Sequence, residues 1–340
     1  MLKKLIFLLL LVGLVLVAVS FFYFKGQTIS LDSSHLFSST KRAKALVKTK
    51  LTLAENNQNQ SNSEEKIVKI LFTGDLMFDR LIRYYAKKSG NDYIFAGVKE
   101  TLIANDFVVT NLEGPITNFQ SKSAGSIPGS PSNYIFTFDP SLAETLLKHN
   151  IKIVNLGNNH ILNFGEKGLE QSINYLQEKN IQYFGNVGRN SIKRWIMIEE
   201  KGLRIALINF NQFLAGSLEA VLEDIQEAKE QADLLILYPH WGVEYLTVAN
   251  TATVNLAHQF IDAGVDLIIG HHPHVVQNKE VYKNKTIYYS LGNFVFDQYW
   301  QNSVMNGLLV QVKINNKTKE MQFEEIKIQL KTDGQTIIVD

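Results

Sequence analysis

The chain has 340 residues, 45% of them apolar and 20% charged, with a formal net charge of +1 and no cysteine. So little net charge gives no general electrostatic footprint for nucleic acid, and the lack of thiols excludes a disulfide scaffold, a cysteine nucleophile and sulfur-ligated zinc or iron. The length suits one large or two ordinary domains.

Residues 5–24 (LIFLLLLVGLVLVAVSFFYF) carry no charge. At about 1.5 Å per residue they reach the roughly 30 Å needed to cross the hydrocarbon layer of a bilayer. Lys3 and Lys4 precede the run as in a secretory signal, but the run exceeds the ~7 to 15 residues of a cleavable apolar region. Residues 1–4 therefore read as a cytoplasmic start and 5–24 as an uncleaved, single-pass membrane anchor, with everything after Lys25 extracytoplasmic. Residues 25–66 are rich in Ser, Asn, Gln and Lys, lack sustained periodicity and read as a flexible tether.

From residue 67 to 340 apolar, strand-like runs alternate with helical patterns. IVKILFT precedes a helix over 78–88; DFVVTN is followed by a long Ser-, Gly- and Pro-containing loop over 118–134, expected to act as a substrate flap. In DPSLAETLLKHN, Asp139 can cap a helix whose first turn accepts Pro140. KIVNLG precedes a helix over 166–179, RIALINF one over 218–231, and DLLILYP one over 251–263. VDLIIG then leads into a β-rich end (VVQNKEVY, KTIYYSL, GLLVQVKI, FEEIKIQL), expected to pair in mixed or antiparallel fashion on one side. Continuous apolar strands separated by helices indicate buried strands in an α/β layered domain.

In such folds functional groups gather in loops at the carboxyl ends of strands. Here the strands run into metal-capable side chains: Asp75 after ILFTG, Asn111 and Glu113 after VVT, Asn158, Asn159 and His160 after IVNLG, His240 after LILYP, and His271, His272 and His274 after LIIG. Any one of these, alone, is an ordinary turn or core-edge residue. Together, carboxylates, amides and imidazoles without sulfur suit a borderline divalent ion, Mn, Fe or Zn, better than Ca. Two such ions about 3.5 to 4 Å apart can bridge an anion and activate water.

The ordered motifs GDLMFDR (74–80), NLEGPIT (111–117), NLGNNHILNFG (155–165), PHWGVEY (239–245), GHHPHVVQ (270–277) and SLGNFVFD (290–297) resemble the CapA family of capsule and poly-γ-glutamate synthesis proteins. That family is similar to the calcineurin-like metallophosphoesterases, which implies an α/β/β/α sandwich with one or two divalent ions. The resemblance implies metal ligands at Asp75, Glu113, Asn159, His240, His272 and His274, with His160 as general acid and Arg80 as an anion contact. Asn158, Glu244, Tyr245, His271 and Asn293 are expected to line the substrate cleft.

The sequence also departs from the phosphoesterase pattern. Its Asp-X-His reads Asp75-Leu76-Met77 here, so one metal position is expected to be weak or vacant. Glu113 replaces a bridging Asp, and Asn163 stands where many CapA-like chains carry Asp.

The implied role is to assist synthesis, export or attachment of an anionic surface polymer, poly-γ-glutamate or polysaccharide, beside membrane-bound synthase partners. Alternatives are a metal-dependent phosphoesterase acting on a phosphorylated envelope substrate, and a non-catalytic polymer-binding module.

Overall fold

Strands that carry Ile, Val, Leu and Phe on both faces need apolar cover on two sides, which fixes a layered arrangement. The structure is a computed structural model that describes residues 65–188 and 192–340, and Glu65–Asp340 forms one compact unit. The predicted anchor and the tether up to residue 64 lie outside the described residues. Among the described residues no helix is long and apolar enough to cross a membrane.

The first half contains β1 (Ile67–Leu76), α1 (Arg80–Ser89), the short helices α2 (Asn91–Phe95) and α3 (Lys99–Ile103), and β2 (Phe107–Leu112). There follow α4 (Ser141–Lys148), β3 (Ile151–Asn155), α5 (Gly165–Glu178) and β4 (Gln182–Phe184). The second half contains β5 (Trp195–Glu200), β6 (Leu203–Asn211), α6 (Ser217–Lys229), β7 (Leu234–His240), α7 (Thr251–Ala263), β8 (Leu267–Ile269), β9 (Lys279–Tyr282) and β10 (Lys285–Tyr288). It closes with β11 (Asn293–Val295), α8 (Asn302–Met305), β12 (Asn306–Asn315), β13 (Met321–Leu330) and β14 (Thr336–Ile338).

Two sheets result. One runs β14-β13-β12-β1-β2-β3-β4 with β11 paired to β1; the other runs β5-β6-β7-β8-β10-β9. Alternation along each strand decides which layer a side chain enters. Ile70, Phe72, Val109 and Ile153 of the first sheet share a core with Ile205, Leu207, Ile236, Tyr238 and Ile269 of the second. Leu71, Val108 and Val154 face the opposite way, onto Ile82, Phe95, Leu146 and Leu176 of the helices. On the far side, Ile208, Leu235, Leu237 and Ile268 meet Val221, Ile225, Ala257 and Phe260 of α6 and α7. The order of layers is helices, sheet, sheet, helices, as expected.

The β-rich end departs from expectation, because it divides between the sheets. β9 and β10 extend the second sheet, whereas β12, β13 and β14 form an antiparallel edge on the first. The expected cap of α4 is present one residue early: the Asp139 carboxylate accepts from the Ser141 amide at 3.0 Å, while Pro140 occupies the capping position.

Two contacts set the height at which the strands end. A Cβ on Gly74 would lie 2.0 Å from the Gly292 carbonyl oxygen; only glycine lets β1 approach the Gly292–Asn293 backbone so closely. Between the sheets, the buried Tyr238 hydroxyl donates to the Thr73 carbonyl at 2.9 Å.

Candidate metal centre

Strand register builds the centre. In the first sheet Asn293, Asp75, Asn111 and Asn155 lie opposite one another across β11, β1, β2 and β3, forming one polar row at the carboxyl ends. In the second sheet Asn211, His240 and His271 form the corresponding row. The His272 amide donates to Asp75 Oδ2 at 3.2 Å and joins the two rows.

Asn111 is the hub, a role its lone position in an apolar strand did not disclose. Its Oδ1 accepts from Asn155 at 3.0 Å and from Asn158 at 3.2 Å. Its Nδ2 therefore faces acceptors: Asp75 Oδ1 at 2.7 Å, His240 Nδ1 at 3.3 Å and Glu113 Oε2 at 3.4 Å. Two amide hydrogens serve three acceptors, so the cluster holds more lone pairs than protein donors. Such a cluster is completed by a proton or a cation.

Two sets of donor atoms, each within 4.8 Å of one another, are suited to metal ions: Asp75, Glu113 and His240, and Glu244, His272 and His274. Each set contains a buried side-chain atom without a hydrogen-bond partner, Glu113 Oε1 in the first and His272 Nδ1 in the second. His274 stands between the sets, its Nε2 3.5 Å from Glu113 Oε1 and its Nδ1 3.3 Å from Asp75 Oδ2. Asn159, exposed at the rim, meets His240 Nε2 through its Oδ1 at 3.0 Å.

The electrostatics agree. Burial, with the Asp75 and Glu244 charges, raises the Glu113 carboxyl well above its ordinary range. Burial also acts to raise Asp75, but the His274 hydrogen bond and charge outweigh it, so Asp75 titrates below the usual carboxylate range. Burial, reinforced by neighbouring imidazoles, depresses His240 strongly and takes His272 to about 3. His240 and His272 are thus neutral at physiological pH, the state in which imidazole ligates metal.

Several residues expected to touch substrate instead hold this centre in place. Asn158 is saturated: its Nδ2 donates to Asn111 and to the Leu112 carbonyl, and its Oδ1 accepts the His160 and Ile161 amides. His271 is fully buried against Tyr238, with ring centroids 4.0 Å apart; its Nε2 donates to the Thr73 carbonyl at 3.0 Å and its Nδ1 has no hydrogen-bond partner. Asn293 is also fully buried; its Nδ2 donates to Gln298 Oε1 and the Val304 carbonyl, which leaves its Oδ1 to accept from His274 Nδ1 at 3.0 Å.

Arg80 does not join the donor sets. Its guanidinium pairs with Asp297, meets Asn133 Oδ1 at 3.3 Å, and lies 5.1 and 5.4 Å from the Phe136 and Phe296 ring centroids. Those rings in turn pack on His160 and His274, and the Arg80 charge acts on Glu113 and His160. Met77, in place of the expected histidine, is buried in the helix-side core with its sulfur facing the Asp79 amide.

The predicted flap is anchored rather than free. Asp79, fully buried, accepts from Ser121 Oγ, Ser123 Oγ and the Thr137 amide at 2.8, 2.8 and 2.9 Å, and from Arg83 Nε at 2.6 Å. Glu244 and Tyr245 do reach the mouth, Tyr245 being 37% exposed.

Fold and donor set together define a layered α/β protein with a candidate divalent-metal centre at its strand ends. A family model described as bacterial capsule synthesis protein PGA_cap matches residues 69–298. The capsule biosynthesis protein CapA of Bacillus anthracis is 30% identical over 286 residues, covering 78% of this chain and 69% of that one. The PGA biosynthesis protein CapA of Bacillus subtilis (strain 168) is 29% identical over 291 residues, covering 81% and 75%. Among solved structures, a hypothetical protein from Thermus thermophilus aligns with a TM-score of 0.50 at 13% identity, over 77% of this chain and 99% of that one, a likeness of fold alone. The chain belongs to the PGA_cap family of bacterial capsule synthesis proteins.

Proposed function

We propose that this chain is a membrane-anchored, extracytoplasmic capsule protein. In this reading it assists synthesis, export or attachment of an anionic polymer, poly-γ-glutamate or polysaccharide, through a divalent-metal centre. The names of the Bacillus relatives support the polymer, and the uncharged run over 5–24 supports the anchor. Membrane-bound synthase components are its expected partners. The observation that carries the metal is Glu113 Oε1, fully buried and without a hydrogen-bond partner.

Asp75, Glu113, Asn159, His240, His272 and His274 would hold the metal, with Mn, Fe or Zn matching their chemistry. When bound, a divalent cation polarises a phosphoryl or carbonyl oxygen and makes water acidic enough to attack near neutral pH. His160 works opposite. Asn163 Oδ1 accepts the Phe136 amide at 2.8 Å and lies 3.2 Å from His160 Nδ1, while His160 Nε2 lies 3.9 Å from Glu113 Oε1. Burial lowers the His160 pKa to about 4. It therefore begins neutral and takes a proton at Nε2 before it can return one to a leaving group, a base first and an acid second.

The test is restoration of surface polymer in a host whose own CapA homologue is deleted. Wild type restores it, and His240→Ala, produced and folded to the same level, gives at least tenfold less. Full restoration by a metal-free His240→Ala chain would overturn the metal reading and leave the polymer-binding module.

A further inference from the structure

We propose that Glu244 is a metal ligand, which with His272 and His274 forms a second divalent-cation position beside Asp75, Glu113 and His240. This rests on the metal reading above and adds one ligand to it.

The donor count asks for two positions. Asp75, Glu113, Glu244, His240, His272, His274 and the Asn159 amide make seven donors, more than one tetrahedral or octahedral ion accepts. They fall into two sets, each with its own buried atom lacking a partner.

The backbone brings Glu244 to this place. Tyr245, His272 and His274 are non-glycine residues with φ of 66°, 98° and 58°, in the left-handed region that glycine favours. Their two loops are joined, because the Tyr245 amide donates to the Pro273 carbonyl at 2.8 Å. Strained residues on both sides of one contact are maintained where surrounding structure over-determines them, as at ligand sites.

A chain of hydrogen bonds with a single direction then links His274 to Tyr245, the neighbour of Glu244 in the chain. His274 Nδ1 donates to Asn293 Oδ1 at 3.0 Å, and Asn293 Nδ2 to Gln298 Oε1 at 3.0 Å. Gln298 Nε2 donates to Tyr245 Oη at 3.4 Å, and burial together with the Glu244 charge raises the pKa of that hydroxyl. Every donor is used in the same sense. The consequence is a bare Nε2 on His274, the state a cation requires. Partners of this kind orient metal ligands and fix their tautomers.

The test uses the full chain in detergent, stripped with chelator and titrated with Mn²⁺. Bound metal is counted by equilibrium dialysis with elemental analysis, and paired ions are detected by electron paramagnetic resonance. Wild type is expected to hold two Mn²⁺ with a spin-coupled signal, and Glu244→Gln one Mn²⁺ with an uncoupled six-line signal. Tyr245→Phe should keep two but bind the second about tenfold more weakly. Glu244→Gln retaining two ions at wild-type affinity overturns the inference, as does its loss of both while its circular dichroism stays native. A wild type that holds one ion, kept by Glu244→Gln, overturns the inference and leaves the proposed function standing. A wild type that holds none overturns both.

Discussion

Replacing Glu113 by Gln separates what the centre costs the fold from what it binds. Without metal, the Glu113 carboxyl is fully buried, one oxygen lacks a partner, and burial with Asp75 and Glu244 raises its pKa well above 4.5. A folded-state pKa above the unfolded one means that the native chain keeps a proton the unfolded chain has released. The stability tied to that proton is complete below the unfolded value of 4.5 and is lost as pH rises toward the folded pKa. Gln does not titrate, so the metal-free wild type loses stability relative to Glu113→Gln from mildly acidic toward neutral pH, while the depressed His240 and His272 act alike in both chains.

Leaving a buried polar group unmatched costs about 1 to 3 kcal/mol, so in chelator at neutral pH Glu113→Gln should be the more stable by about that amount. With metal the order reverses, since a cation at 100 times its Kd adds about 2.7 kcal/mol to wild type and far less to the variant. Urea unfolding of the full chain across this pH range, in chelator and in excess Mn²⁺, measures both effects, with an unchanged m value as the check on two-state behaviour. A variant that is less stable than wild type in chelator at every pH, or that gains equally from Mn²⁺, refutes the reasoning.

Asn111→Ala should cost about 2 to 4 kcal/mol in the same assay, because the buried Asn155 and Asn158 amides both lose their acceptor. Asp79→Asn should free the 118–135 loop, since one buried carboxylate serves Ser121, Ser123, Thr137 and Arg83. Limited proteolysis with peptide mapping should find new cleavage there, at a stability cost of about 2 to 3 kcal/mol; a loop as resistant as wild type's would show that it is held from elsewhere.

The layers were legible because apolar periodicity reports burial directly. Runs such as ILF at 70–72 and LIL at 235–237 are apolar on both faces, which demands cover on two sides; that one cover is a second sheet was implied only by the family resemblance. What the pattern did not report was which sheet a strand joins. The strands Lys279–Tyr282 and Lys285–Tyr288 look no different in sequence from Asn306–Asn315, yet the first two extend one sheet and the third the other. That choice depends on where the preceding crossover ends, which is a property of the whole fold. The short helices at 91–95 and 99–103 are one turn each, too brief for a 3.6-residue period to show.

For the site, chemistry was more legible than role. Residues that bear charge or imidazole announced themselves, and the strand ends gather six of them in two sets of three. Amides do not announce themselves, because Asn at a strand end is also the residue of turns. Only register shows that Asn293, Asp75, Asn111 and Asn155 form one row, so that three amides surround one carboxylate.

Asn158, Asn293 and His271, expected to line the substrate cleft, are all buried and hydrogen-bonded to Asn111, His274 and the Thr73 carbonyl respectively. A centre that places three carboxylates and three imidazoles together has to fix the direction of every neighbouring hydrogen bond, or the ligands turn toward one another. Asn158 holds the hub, Asn293 sets the proton on His274, and His271 ties the two sheets at Thr73. Residues flanking ligands in sequence are the ones within reach for that work. The side chains left at the mouth, Asn159, Glu244 and Tyr245, are the ones with exposure to spare, and substrate specificity should be sought in them.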